Sequence, residues 1–140
     1  MPVKLVIDAN IGFKALVPEQ NSDIAVKLLE DFRKGVHDLL APDLYPTEVS
    51  NILVMAARSK RILESDLPIL YGELMSDLPI LYTSTSLLPE AFKIASKARV
   101  SVYDALYAAL AEREGCLLVT ADDKLIKALH GHPIASLASL

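Results

Sequence analysis

Short apolar runs alternate along this chain with longer stretches of helical spacing, and the alternation narrows its fold before any motif is considered. Lys4-Leu5-Val6-Ile7 ends at Asp8 and reads as a buried strand. Leu39-Leu40-Ala41 is a second candidate, Cys116 to Val119 another, and Pro133 to Leu137 a last short one. Between them, Ser22 has the chemistry of an N-cap, with Ile24, Ala25, Leu28, Leu29 and Phe32 on one stripe and Gly35 as the stop. A helix from about Leu44 tolerates Pro46 in its first turn and turns Val49, Ile52, Leu53 and Ala56 inward. Pro89 to Lys97, Ser101 to Glu114 (stopped by Gly115) and Asp122 to Leu129 complete the helices. Strands spaced by helices imply βαβ units, hence an α/β fold of three layers around a mostly parallel sheet. No linker-like stretch divides residues 1–140, so the expectation is a single domain.

One heptapeptide, Ser-Asp-Leu-Pro-Ile-Leu-Tyr, occurs twice, at Ser65–Tyr71 and Ser76–Tyr82. The first copy continues to Leu74, so Leu67, Leu70, Tyr71 and Leu74 fall at helical spacing, with Ser65 as cap and Pro68 in the first turn. The second runs into Thr83-Ser84-Thr85 and reads as a short strand followed by a loop. The expectation is therefore one sequence in two secondary structures, with context overriding propensity.

Composition excludes several classes. At 52% hydrophobic and 23% charged residues the chain is too apolar for disorder, and no apolar run approaches the ~18 residues of a membrane span. The opening Met-Pro-Val-Lys meets a charge too early for a signal peptide. A lone cysteine, Cys116, rules out an internal disulfide and a cysteine-ligated zinc site and suits a reducing cytoplasm. The net charge of −4, taken by itself, argues against a nucleic-acid partner. Among the five glycines there is no phosphate-cradling Gly-rich loop, and no Gly-x-Ser-x-Gly elbow occurs.

The positions of four acids say more than their number. Asp8 ends the first strand, where open α/β sheets present ligands, and Asn10 follows on the next turn; a helix N-cap is its other reading. Glu48 lies in a first helical turn, where acids also serve the helix dipole. Ser101-Val-Tyr-Asp104 fits a capping box, yet Ala105 to Ala111 is apolar on every side and should be buried. A carboxylate at the entrance of such a helix needs donors or a metal. Asp122 follows the Leu117-Leu118-Val119 run, and Thr120 and Asp123 have capping spacing. In a parallel sheet all four places fall at one edge, so Asp8, Glu48, Asp104 and Asp122 can converge. Their mutual repulsion is relieved by a hard divalent cation with oxygen ligands, the arrangement used to hydrolyse phosphodiesters.

Other candidates are weaker. Lys14, Arg58, Lys60 and Arg61 are the basic residues offered for an RNA backbone, with Lys93, Lys97, Arg99, Lys124 and Lys127 as further cations. His130 and His132 read as loop residues, His37 as a surface or strand-edge residue, and Cys116 as a small buried hydrophobe.

Val6-Ile7-Asp8-Ala9-Asn10, Glu48 in Pro-Thr-Glu-Val-Ser-Asn-Ile-Leu, Ser-Val-Tyr-Asp104-Ala-Leu-Tyr-Ala-Ala-Leu-Ala and Leu-Val-Thr120-Ala-Asp122 together resemble the PIN-domain ribonucleases, above all the VapC-type toxins of prokaryotic toxin–antitoxin pairs. The resemblance spans essentially the whole chain. It implies a PIN-like α/β/α fold with a five-stranded sheet and hydrolysis of single-stranded RNA with Mg2+ or Mn2+. Asp8, Glu48, Asp104 and Asp122 match the acidic positions, supported by Asn10 and Thr120; Asp123 has no assigned family role. It also implies a homodimer and a small VapB-like antitoxin. The rivals are a PIN nuclease of RNA processing, a non-catalytic PIN-fold binding module, and a phosphatase-type domain with Asp8 as nucleophile, which Asp-Ala-Asn disfavours for want of a second aspartate.

Overall fold

The computed structural model describes residues 3–140, so Met1 and Pro2, on which part of the signal-peptide reading rests, lie outside the described residues. In chain order the elements are β1 (Val3–Ile7), α1 (Ala9–Leu16), α2 (Ser22–Arg33), β2 (His37–Pro42), α3 (Tyr45–Arg58), α4 (Leu67–Ser76), β3 (Ile80–Tyr82), α5 (Ser84–Ala98), α6 (Val102–Glu114), β4 (Leu117–Thr120), α7 (Asp123–Ala128) and β5 (Ile134–Ser136). Every pairing in the sheet is parallel and the strand order is β3-β2-β1-β4-β5. The register sets Val6 beside Leu40 on one side, and Ile7 beside Val119 on the other.

This order fixes the layers. The chain steps from β1 to β2 to β3, then returns past β1 to β4 and β5. Right-handed crossovers therefore place α1 to α4 on one face and α5 to α7 on the other. The central strands are covered on both sides: Val6, Ile7, Leu39, Leu40, Ala41, Leu118 and Val119 are all buried. α6 packs on β1, β2 and β4, and its seven residues Ala105 to Ala111 are buried without a break, as an all-apolar helix requires.

The two heptapeptides do adopt different structures. In the first copy Ser65 and Asp66 lie in a 3-10 turn and Leu67 to Tyr71 open α4; in the second, Ile80 to Tyr82 form the edge strand β3. β2 decides the difference, because it offers Leu40, Ala41 and Pro42 as a ladder only to the second copy.

Several local expectations are corrected. Ser22 is the first helical residue of α2, not its cap: Asn21 holds the cap position at φ 64°, and the Ser22 hydroxyl serves the preceding turn, accepting from the Glu19 N–H at 2.8 Å and donating to the Val17 carbonyl at 3.2 Å. Ser65 does not cap α4 either, since Asp66 stands at that position without a side-chain bond. The stretch after the second heptapeptide is helix rather than loop. α5 starts at Ser84, whose N–H is taken by Asp43 at 3.1 Å, and it carries Pro89 internally. Thr120 does not cap α7; Asp122 does.

α1 gives little sequence signal because it is short and holds Gly12. That glycine is required by packing. A β-carbon there would stand 2.2 Å from the Tyr45 hydroxyl oxygen, so α1 and α3 meet at a spacing only hydrogen permits.

Candidate active site

β1 and β4 are neighbours, yet their outgoing connections leave toward opposite faces, which makes the gap between their carboxyl ends the switch point of the sheet. Asp8 stands on one side of that gap and Thr120-Ala121-Asp122 on the other. Asp8 is both candidate ligand and N-cap: Oδ1 accepts the Ile11 N–H at 3.2 Å, while Oδ2 accepts the Thr120 hydroxyl. The Thr120 oxygen in turn accepts the Asp122 N–H at 3.1 Å. Asp122 Oδ1 takes the N–H groups of Lys124 at 3.0 Å and Leu125 at 3.2 Å, which leaves its other oxygen available. One buried hydroxyl therefore ties the two strand ends together.

Glu48 and Asp104 come from the first turns of α3 and α6. The buried Tyr107 donates to Glu48 Oε1 at 2.6 Å and links the two helix layers across the sheet edge. Asp104 has its own N–H capped by the Ser101 hydroxyl at 3.0 Å, as the capping reading expects.

Each of Asp8, Glu48 and Asp104 lies within electrostatic range of another of the acids. Burial pushes the Asp8 carboxyl up to about 6, the Thr120 and Ile11 hydrogen bonds oppose this, and the charges of Asp104 and Asp122 add to it. Glu48 is raised by burial first; Tyr107 pulls it back and Asp104 pushes it further. Asp104 is raised by burial, then eased by Ser101 and raised again by Asp122. Asp104 thus acts on, or is acted on by, each of the other three acids. Burial and the neighbouring Glu48 hold the Tyr107 hydroxyl far above its ordinary range, so it stays a donor.

No ion pair among the described residues includes any of the four acids. Among the described residues no three Asp, Glu, His or Cys side chains close around one point as a ready cage. The expected convergence is therefore looser than a full ligand set. Anionic oxygen donors without a protein cation suit a hard divalent ion bound through one or two carboxylates and completed by water.

The remaining candidates fall elsewhere. Asn10 is exposed one residue into α1. Asp123 is exposed in the first turn of α7 and is not among the charges that act on Asp8, Glu48 or Asp104. Lys14 and Arg61 both pair with Glu19, at 3.1 and 2.7 Å, and Arg61 also covers the Phe13 ring, so these two cations clamp α1 to the turn after α3. Arg58 closes α3, ten residues and about 15 Å along the axis from Glu48, and Lys60 follows it in a turn at φ 63°. None of the four stands as a free cation beside the acids. His37 is buried, not superficial: its Nε2 lies 2.9 Å from the Leu28 carbonyl and so carries the proton. His132 pairs with Glu112 and takes no part in the site. Cys116 is only half-buried.

Two residues escaped the sequence reading. Tyr107 reads as one more apolar residue of α6, but it lies three positions after Asp104 and hence near the same helix face. Tyr103, beside Asp104, is 63% exposed and helps line a cleft against α3.

A doubly wound parallel sheet with Asp8 and Asp122 flanking its switch point defines the class of protein. The chain belongs to the PIN domain family, whose model matches residues 5–129. It is 35% identical over 125 residues to Ribonuclease VapC3 of Pyrobaculum aerophilum, covering 88% of this chain and 92% of that protein. PAE2754 from Pyrobaculum aerophilum has the same fold at a TM-score of 0.71, with 24% identity over 99% of this chain and 94% of that one. VapBC2 from Rickettsia felis, solved bound to a DNA fragment from its promoter, follows at 0.66, with 18% identity over 96% and 98% of the two chains. FitAcB from Neisseria gonorrhoeae gives 0.55, with 16% identity over 97% and 99%. The five-stranded parallel sheet expected from the resemblance is borne out.

Proposed function

We propose that this protein is an endoribonuclease that hydrolyses phosphodiester bonds of single-stranded RNA with Mg2+ or Mn2+, the toxin of a VapBC-type pair. The observation that carries the reading is the position of Asp104, in electrostatic reach of Asp8, Glu48 and Asp122 at the switch point. Asp8, Glu48, Asp104 and Asp122 would hold the metal. Bound divalent ions supply positive charge that acidifies water and stabilises the attacking and leaving oxygens of a phosphodiester. Thr120 fixes the rotamer of Asp8, and Tyr107 fixes that of Glu48, so neither carboxylate has to be ordered when substrate arrives. The N-termini of α3, α6 and α7 point their partial positive charge toward the acids and reduce the cost of holding them together.

The toxin assignment, with a small antitoxin as partner, draws on the likeness to Ribonuclease VapC3 and to the VapBC2 structure, and the homodimer on the family resemblance alone. Residues 1–140 form one PIN domain in this reading, and its place of action is the cytoplasm. Among the described residues no helix is long and apolar enough to cross a membrane. Setting the four site acids aside leaves as many acids as bases, so the charge of −4 does not oppose RNA once cations occupy the site. The test is cleavage of single-stranded RNA by the wild-type protein and D8N with Mg2+, Mn2+ or EDTA. Cleavage should need the metal and Asp8; equal cleavage by both proteins, or cleavage undiminished in EDTA, sinks the proposal.

A further inference from the structure

Beside the acids lies a cleft of about 370 Å³ lined by Leu44, Thr47, Glu48, Asn51, Ile52 and Tyr103. We propose that it is a nucleobase subsite, in which a base of the single-stranded RNA stacks on the Tyr103 ring; the proposal rests on the nuclease reading above. Leu44, Thr47, Glu48, Asn51 and Ile52 recur at three- and four-residue steps, so they form one continuous wall along the start of α3. Tyr103 closes the other side from the first turn of α6, one turn before Tyr107 and adjacent to Asp104. Its ring is 63% exposed and so contributes little to the core.

The chemistry of the lining selects the occupant. The only charged group is the Glu48 carboxylate, so the cleft repels a phosphate and suits a neutral, flat group. An exposed aromatic face with apolar flanks supplies stacking, and the Asn51 amide and Thr47 hydroxyl supply a donor and acceptor set for the edge of a base. Because Glu48 belongs to the cleft and to the acid cluster alike, a base held here is carried by a nucleotide next to the phosphate at the acids. Double-stranded RNA keeps its bases stacked and cannot fill the cleft.

The experiment measures steady-state cleavage of a single-stranded RNA with Mn2+, and binding of the same fluorescently labelled RNA with Ca2+ in its place, for wild type, Y103F and Y103L. Y103L should raise KM and weaken binding about five-fold or more, with kcat little changed and the melting temperature retained. Y103F, which keeps the ring, should match wild type. Y103L behaving as wild type overturns the proposal, as does Y103F losing as much as Y103L. A change in mass by light scattering for Y103L also overturns it, by assigning the cleft to a second copy of the chain. If wild type binds RNA in a ring-dependent way without cleaving it, the nuclease reading falls and the subsite stands. If it neither binds nor cleaves, both fall.

Discussion

Replacing Asp8 by asparagine should stabilise the metal-free protein at neutral pH and fail to do so in acid. The Asp8 carboxyl is pushed up to about 6 from an ordinary 3.8, chiefly by burial. Between those values the folded state holds a proton that the unfolded state has released, so stability falls as pH rises through this window and the loss is complete above it. The gap corresponds to about 3 kcal/mol. Asparagine keeps one acceptor for the Thr120 hydroxyl or the Ile11 N–H and forfeits the other bond, at a cost of about 1 kcal/mol. The net gain of about 2 kcal/mol in D8N above pH 6 is roughly 6 °C in melting temperature for a chain of this size. Thermal unfolding of both proteins in EDTA, in buffers from about pH 4 to 8, reads it directly. The difference should shrink toward zero or reverse near pH 4. A constant difference, or D8N less stable than wild type at about pH 7.5, would refute the assignment of a buried, destabilised carboxylate. Adding Mn2+ at neutral pH should raise the wild-type melting temperature more than that of D8N.

G12A should cost about 1–3 kcal/mol in chemical denaturation, because its methyl group would overlap the Tyr45 hydroxyl, and Y45F should recover part of the loss; an unchanged midpoint would contradict the close approach of α1 and α3. Y107F removes the donor that pulls the Glu48 carboxyl down, so the acid limb of the cleavage profile should move to higher pH and Mn2+ affinity should fall about ten-fold. An unmoved profile with unchanged Mn2+ binding would show that Tyr107 serves packing alone. H37F removes the second hydrogen bond on the Leu28 carbonyl and should cost about 1 kcal/mol while leaving RNA cleavage as in wild type; lost cleavage in a folded H37F would mean that the site reaches further than the carboxyl edge.

How much of this was legible depended on whether one segment carried its own signal. Val6-Ile7 of β1, Leu39-Leu40-Ala41 of β2 and Leu118-Val119 of β4 are buried on both faces, so these stretches appear in sequence as apolar runs, and α6 announces itself because nothing charged interrupts Ala105 to Ala111. The starts of α2 and α5 were misplaced for a different reason. Their first turns are held by groups distant in sequence or specific in geometry, such as Asp43 on the Ser84 N–H, and no capping pattern records that. The acids were visible because strand ends and helix starts in a parallel sheet share an edge, whatever the side-chain detail. Of their supports, Tyr107 carried no signal, and Thr120 is named only through the resemblance; its spacing to Asp123 also fits a cap, whereas its hydroxyl turns across the gap to a residue 112 positions away. The basic residues failed similarly: charge put Lys14 forward for an RNA backbone, but Glu19 pairs with it.

The central claim is that the four acids form one metal-dependent phosphodiesterase site organised around Asp104. Single-turnover cleavage of single-stranded RNA by wild type and D104N, across a Mn2+ titration, tests it most directly. Wild-type cleavage should rise to saturation with Mn2+, and D104N should remain at least about a hundred-fold slower at every concentration, with its fold intact by circular dichroism. D104N cleaving at the wild-type rate, with the same dependence on Mn2+, would contradict the account.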